Sequence, residues 1–321
     1  VKAIKAFAPY KLSDQKFFEW CRTASKSSRV MSVLEHFLAK DPASFAYESL
    51  GLMPPFESDR PVHDLDGAAY LLCYQYNQRI LPGAVRDEKL KVRIAELAER
   101  EGREVTKTEY AQLRNEVEKE LLPQAFIRRT YIPVLVYKDL LLICHTSVKR
   151  QEDIIDHLCR LFGVRNISTT IELFFTNNDI DTTLKTVAID GSSDQNVGES
   201  YFEASDAAVL KGSDKRTMRI KDRNVSHAEV QNALVNGSYS VIELRMDWNT
   251  EDGDTLMTFN LTDKFIVKSI KMAETVELKS AEDLHATYYI YAQQFKALVP
   301  DIIDLLGGES SPPAGDDDDE L

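Results

Sequence analysis

Apolar positions recur at offsets of three and four in two adjoining stretches: Leu90, Ile94 and Leu97 within residues 86–98, then Tyr110, Leu113, Val117 and Leu121 within residues 110–121. This period predicts two amphipathic helices. Glu101-Gly102-Arg103 interrupts the pattern between them. Thr106-Lys107-Thr108-Glu109 has the form of a capping box, in which Thr106 accepts one backbone N–H and Glu109 accepts another. The chain is expected to turn back on itself between Pro82 and Pro123. At 1.5 Å per residue, helices of ten or more residues give a hairpin projecting roughly 15 to 25 Å from its root.

Upstream, residues 3–12 form an apolar run short enough for a strand, and residues 14–25 predict a helix with Phe17, Phe18 and Cys21 toward a core. Residues 32–38 suggest another short helix. Ser49-Leu50-Gly51-Leu52-Met53-Pro54-Pro55 reads as a turn, since its prolines oppose helix continuation. Residues 68–76 are apolar and aromatic, a strand candidate, so the hairpin interrupts a sheet-bearing domain. Downstream, residues 132–137 and 140–145 predict two strands around Lys138-Asp139, followed by a helix carrying Ile154, Leu158, Leu161 and Phe162. Residues 167–175 offer a further strand. From 177 to 206 the period fades, and Asn177-Asn178-Asp179 and Gly191-Ser192-Ser193-Asp194 read as loops. Strands are expected again over 240–248, 254–261 and 265–272. A capping pattern at Ser280 opens a helix with Leu284, Tyr288, Tyr291, Phe295 and Leu298 on one stripe. Pro300 is expected to bend the chain, and Gly307-Gly308 to stop it. The fold class this predicts is α+β, with mixed or antiparallel sheet domains and a projecting helical hairpin.

The formal net charge of −13 over 321 residues at first argues against a polyanionic partner. Six acidic and no basic residues fall within 309–321, however, which leaves −7 on the remainder and room for a locally positive face. Residues 310–321 read as a disordered, solvated acidic tail; the alternative is that the tail competes for a basic surface. Residues 81–130 hold 11 basic and 10 acidic side chains. Arg86, Lys89, Lys91, Arg93, Arg100, Arg103, Lys107 and Arg114 either line one side of the hairpin, favouring a polyanion, or belong to a solvated face with local pairing. A second basic run is less balanced: Lys211, Lys215, Arg216, Arg219, Lys221 and Arg223 outnumber Asp214 and Asp222 six to two. Such a run can contact successive phosphates without reading bases, although a solvated loop explains the same composition.

Other chemistry finds less support. No apolar run approaches the roughly 18 residues of a membrane span, so a soluble chain without a membrane partner is expected. Cys21, Cys73, Cys144 and Cys159 show no zinc-like spacing and read as free thiols. The six histidines are dispersed, with no HExxH pattern, and no metal is assigned. Phosphate-loop, dinucleotide and nucleophile-elbow motifs are absent from the sequence. Glu243 and Asp247 share one face of an alternating strand, the one pair that a metal-dependent nuclease could use. Asp252-Gly253-Asp254 reads as a tight turn rather than a calcium loop.

Several segments together resemble the RdgC family of bacterial recombination-associated proteins over most of residues 4–309. Gly51-Leu52-Met53-Pro54-Pro55 resembles the family's early GWVPP-like turn. Ile80-Leu81-Pro82 opens the paired-helix insertion, and Leu121-Leu122-Pro123-Gln124-Ala125-Phe126 closes it in the family manner. Residues 221–230, the strand segment Arg245-Met246-Asp247-Trp248 and the ending from Leu298 to Glu309 are similar as well. The resemblance implies an α+β subunit that assembles as a ring-shaped homodimer around duplex DNA, binds without sequence preference and opposes a recombinase. It implies hydrophobic closure at Phe126, beside Gln124, which stands where the family carries arginine. Lys221 matches a basic family position; Asp222 replaces a typical lysine, Arg223 a typical glutamine, and Ser238 a position where lysine can occur.

The organisation expected is a central α+β domain from 1–80 and 125–170, a hairpin tip at 81–124, a strand-rich base at 171–309 and the acidic tail at 310–321. DNA contacts are assigned to Lys211, Lys215, Arg216, Arg219, Lys221 and Arg223, with Arg100, Arg103 and Lys107 on the hairpin; Phe126 and Gln124 are assigned to the dimer interface. No catalytic residue and no cofactor is assigned, and the expected setting is the nucleoid in the cytoplasm. The competing functions are a DNA-processing nuclease using Glu243 and Asp247, and a non-catalytic protein-interaction scaffold with weakened DNA binding.

Overall fold

A strand of seven residues, β1 (Ala6–Leu12), sits in the middle of a sheet that both halves of the chain build. The computed structural model describes residues 3–27, 30, 34–162, 170–193, 200–221, 225, 228–236, 239–273 and 281–311. The other strands are β2 (Glu48–Met53), β3 (Val62–Asp64), β4 (Tyr70–Ile80), β5 (Phe126–Val136), β6 (Leu140–Ile143), β7 (Ile171–Glu172), β8 (Ser200–Gly212), β9 (Thr217–Ile220), β10 (Tyr239–Thr250), β11 (Thr255–Thr262) and β12 (Val267–Met272). Their order is β2-β4-β5-β6-β1-β12-β11-β10-β8-β9, with β3 added to β4 and β7 to β1. Every strand pairing among the described residues is antiparallel, so the sheet is of the antiparallel kind that the sequence allowed.

The two ends of this sheet are covered differently, and the sequence pattern differs accordingly. In β4, β5 and β6, neighbouring residues enter opposite cores: Leu71, Leu135 and Leu142 face one, and Leu72, Val134, Val136, Leu141 and Ile143 the other. Burial on both faces turns each strand into a continuous apolar run. The second of these cores is closed by helices α1 (Gln15–Ala24) and α4 (Val148–Phe162), through Phe17, Cys21, Ile154 and Leu158. The first extends under β8–β12 and is closed by α5 (Ile180–Asp190), α6 (Ala228–Asn236) and the long α7 (Ala281–Leu305). In β10 and β11, Leu244, Met246, Trp248, Met257, Phe259 and Leu261 alternate inward; Glu243, Arg245, Asp247, Thr258, Asn260 and Thr262 take the opposite face. That half of the sheet leaves one face polar.

Helices α2 (Gly83–Glu101) and α3 (Lys107–Leu121) form the expected hairpin between β4 and β5. Gly102 takes a left-handed φ of 64° to end α2, and the Thr106–Glu109 capping box opens α3. Only Leu90 and Val117 are buried in the two helices. Among the described residues there are seven helices, and none is long and apolar enough to cross a membrane. All four cysteines are free.

Several expectations need correction. Ser49 to Met53 is the edge strand β2, not a turn. Gly51 is required there because residues 37–39 cross it: Ala39 N–H donates to Leu52 O at 2.8 Å, Leu52 N–H donates to Phe37 O at 2.8 Å, and a Cβ on Gly51 would stand 2.5 Å from Ala39 N. The supposed loops around 177–206 bracket a helix, with Asp179 at the N-cap of α5 and Gly191 at a left-handed φ of 85° beyond its end; the threonines at 182, 183 and 186 mask its period. At the C-terminal end the helix runs through Pro300 to Leu305 and stops before left-handed Gly307 and Gly308, the stop expected there. Of the short helix expected at 32–38, the described residues 34–37 are turn; of the strand at 167–175, residues 163–169 lie outside the described residues and β7 spans two residues of the rest.

Buried polar groups tie helices to strands. Trp248 Nε1 donates to Asp301 Oδ2 and to Ser200 Oγ, each at 2.9 Å, and Ser200 Oγ donates to the same carboxylate oxygen at 2.5 Å. His63 Nε2 and His285 Nδ1 share a hydrogen bond of 2.8 Å between β3 and α7, and His285 Nε2 lies 3.0 Å from Asp66. His157 lies 3.1 Å from the Tyr74 hydroxyl, and burial, with nearby Arg160, pushes its pKa down to about 4. Burial also lowers His63 and His145. The Arg150 guanidinium, with the Tyr76 hydroxyl, holds the Glu48 carboxyl at about 2.

Gly51→Ala is expected to destabilise the fold by about 1–3 kcal/mol, because backbone rather than a yielding side chain occupies the space; thermal or urea unfolding measures it. The depressed histidines favour the neutral form in the fold. The contribution of His157 is therefore complete above pH 6.5, its ordinary value, and is lost progressively as pH falls toward about 4; His63 and His145 act in the same direction. Glu48 loses its own contribution lower, between its ordinary 4.5 and about 2. Melting temperature is thus expected to fall already between pH 6.5 and 4.5, and His157→Phe to flatten that slope; an unchanged slope would remove His157 as its source.

Candidate nucleic-acid interface

The basic run at 211–221 folds as a hairpin at one edge of the sheet, β8 turning into β9. Its register sets which cations share a face. Lys211 stands opposite Thr217 and Val209 opposite Arg219, while Leu210 and Ile220 point into the core. Strand alternation therefore puts Lys211 and Arg219 on the outer, polar face, and Lys221 follows in the same parity just beyond β9. All three are exposed, and none has an ion-pair partner among the described residues. Lys215 sits in the connecting turn with a left-handed φ of 67°, and Arg216 there is countered by Asp214 at 3.2 Å. Arg223, Asp222 and Ser238 lie outside the described residues.

The fold brings a fourth cation to this face. Arg219, Lys221 and Lys268 of β12 line one cavity of about 410 Å³ together with Thr217, Glu243 and Asn260. Glu243 pairs with Lys268 at 2.8 Å and accepts from Asn260 Nδ2 at 2.6 Å. Asp247 accepts from Thr258 Oγ1 at 2.5 Å. The two carboxylates considered for metal chemistry are thus each engaged by strand neighbours. No group of three or more His, Cys, Asp or Glu able to hold a metal occurs among the described residues. Lys268 carried one local signal in the sequence, its alternation with the core residue Val267; only the sheet order places it near Arg219.

The hairpin residues sit elsewhere, on an insertion between β4 and β5, while β9 ends the sheet order at the other edge. Arg103 reaches both oxygens of Glu109, at 2.6 and 3.0 Å, and Glu101 at 3.1 Å, so its guanidinium fastens the turn. Arg100 lies 3.7 Å from Glu101, and Lys107 is exposed at the start of α3. Across the helix pair, Arg86 meets Glu118, and Lys89 and Arg93 meet Glu120. Many of the hairpin's cations are therefore spent on local pairing, the solvated-face alternative that the composition left open.

At the root of the hairpin, Phe126 opens β5 opposite Ile80 and is 85% exposed, so it is not a core residue of the single chain. Ile80, Val85 and Phe45 are exposed too, and Gln124 is exposed in the 3-10 turn just before. Arg79, which sequence reasoning missed, anchors this root by donating to the carbonyls of Leu122 at 3.0 Å, Pro123 at 3.1 Å and Pro42 at 2.9 Å.

Residues 5–309 match the family model described as "Putative exonuclease, RdgC". Among curated relatives, proteins named "Recombination-associated protein RdgC" are similar at modest identity. The Pseudomonas entomophila protein is 26% identical over 299 residues, which cover 87% of this chain and 92% of the relative. The Pseudomonas syringae pv. syringae and Pseudomonas aeruginosa (strain LESB58) proteins are 28% and 27% identical over 300 residues, with the same shares covered.

Proposed function

The chain belongs to the RdgC family, and from that premise we propose that it binds double-stranded DNA without sequence preference, as a homodimer that encloses the duplex and limits a recombinase's access to it. The outer face carrying Lys211, Arg219, Lys221 and Lys268 supports this reading best: Arg219, Lys221 and Lys268 line one cavity whose one acidic lining residue among the described residues is Glu243, and Lys211 shares the face of Arg219. Contacts of this kind follow the phosphate backbone and bring no base code. In this reading residues 81–124 project as the tip, 1–80 with 125–170 form the central unit and 171–309 the base. The exposed Phe126, with its register partner Ile80, supplies the apolar closure between subunits, next to Gln124. The protein acts in the cytoplasm on nucleoid DNA and performs no chemistry of its own.

The family description favours one other reading, a nuclease. Glu243 and Asp247 would be its carboxylates, and their engagement by Lys268, Asn260 and Thr258 stands against it. Metal-dependent cleavage of a duplex, lost in Glu243→Gln with Asp247→Asn, would establish the nuclease and overturn the non-catalytic reading.

Unrelated duplexes of equal length are expected to bind alike, with affinity falling steeply as salt rises. Replacing Arg219, Lys221 and Lys268 together by alanine should weaken all duplexes equally and reduce the slope of log affinity against log salt by about two to three per subunit. A strongly preferred sequence with a flat salt response would contradict the mechanism. Phe126→Ala is expected to weaken subunit association by roughly tenfold or more while the melting temperature of the dilute chain stays unchanged; sedimentation at matched concentrations measures the first and calorimetry the second.

A further inference from the structure

The C-terminal segment leaves the described structure at a fixed place. Glu309 pairs with Lys11 of β1 and bridges to Thr176, and Ser310 N–H donates to Phe175 O at 2.8 Å. Phe175 and Thr176 line a cavity of about 410 Å³ whose wall includes Ile242 and the carboxylates Asp179, Asp181 and Asp263. Ile242 also lines the neighbouring cavity, the one holding Arg219, Lys221 and Lys268. The two cavities thus share one lining residue, Ile242.

Residues 312–321 lie outside the described residues; their composition is an uncharged Pro312-Pro313-Ala314-Gly315 followed by Asp316, Asp317, Asp318, Asp319 and Glu320. Five residues from Ser311 to Asp316 span at most about 18 Å, and nine to Glu320 about 32 Å. The carboxylates of the acidic cavity, Asp179, Asp181 and Asp263, repel the aspartate run. The cavity beyond Ile242 is lined by three cations against the single carboxylate of Glu243. Five successive carboxylates present to it a charge density similar to that of a phosphate backbone.

We propose that the acidic run at 316–320 seats on the cavity lined by Arg219, Lys221 and Lys268 of its own chain and competes there with DNA, a self-inhibitory contact that rests on the DNA-binding reading above. Binding then exchanges one set of anions for another. Weak polyanions are excluded, and a duplex must supply enough phosphates to displace the tail. Because both contacts are ionic, the inhibition is strongest at low salt and fades as screening shortens the Debye length.

Carbodiimide crosslinking of the full chain at low salt, read by mass spectrometry, tests the seating without DNA. Amide links from residues 316–320 to Lys221 or Lys268 are expected, and their loss in Arg219→Glu. Links only to Lys11 or Lys264, or none, would overturn the proposal. In parallel, the full chain with Asp316, Asp317, Asp318, Asp319 and Glu320 changed to their amides should bind a generic duplex about fivefold or more tightly at 50 mM salt, with the gain shrinking at 200 mM. Equal affinity in a protein that does bind DNA would also overturn it. If neither form binds DNA while the crosslinks form, the contact stands as a seat for the tail and the DNA-binding reading fails instead.

Discussion

Everything in this fold depends on how β1 changes partners along seven residues. Ala6 and Phe7 pair with Lys268 and Val267 of β12, and Ala8 to Lys11 pair with β6 on the other edge. Lys11 and Leu12 then pick up β7, so Pro9, which has no N–H to donate, falls between the two segments that pair on the β12 side. The side chains divide in the same way. Phe7 enters the core under α7, where its ring lies 4.5 Å from that of Phe295; Ala8, Tyr10 and Leu12 enter the core under α1 and α4. A one-residue slip would exchange these faces and empty both cores at once.

That division decides which surface is available for binding. Since α1 and α4 cover one face only as far as β1, the same face of β8–β12 is left to polar residues, and their cations are presented on a flat, hydrogen-bonded frame rather than on a loop. The opposite face cannot serve, because α7 crosses it. The helix is fixed at one end by the contact of His285 with His63 and toward the other by the Asp301 carboxylate on Trp248 and Ser200. Two segments that resemble the family separately, the strand with Asp247-Trp248 and the ending with Pro300-Asp301, thus meet in one buried polar cluster. Their joint presence reflects one structural need, an indole N–H and a carboxylate that satisfy each other inside the core.

Legibility in the sequence followed the period of burial. The hairpin was plain because capping chemistry marks its turn, and β10–β12 because their faces alternate. Glycine misled at Gly51, where a lack of side chain serves a close crossing of backbone rather than a turn. Asparagine and glycine around α5 marked the helix ends that they cap, while its threonines hid the stripe between. The candidate site was half legible: the run from Lys211 to Lys221 is a composition signal, but whether its members share a face depends on the β8–β9 register, and Lys268 enters only through the sheet order. Phe126 could not be resolved from sequence, because an aromatic at the start of a strand is equally at home in a core or on a surface.

Charge sorting by secondary structure reconciles the acidic total with a cationic face. On helices, spacings of three and four and the groove between neighbours let acids and bases find each other, as Arg86, Lys89, Arg93, Arg103 and Arg114 do with glutamates of the same hairpin. On a strand, same-face neighbours stand two residues apart in sequence or across a ladder, and a cation whose register partner is neutral is countered only through a further neighbour. Arg219 faces Val209 and Lys211 faces Thr217, so neither is countered by its register partner or by an ion pair among the described residues. Lys268 is the exception that fits the rule: its register partner on β11 is Asn260, and Asn260 holds Glu243, which reaches Lys268. A protein with net charge −13 can therefore keep free cations where strand pairing denies them partners, and hide most of the others in helical pairs that a long-range field scarcely feels.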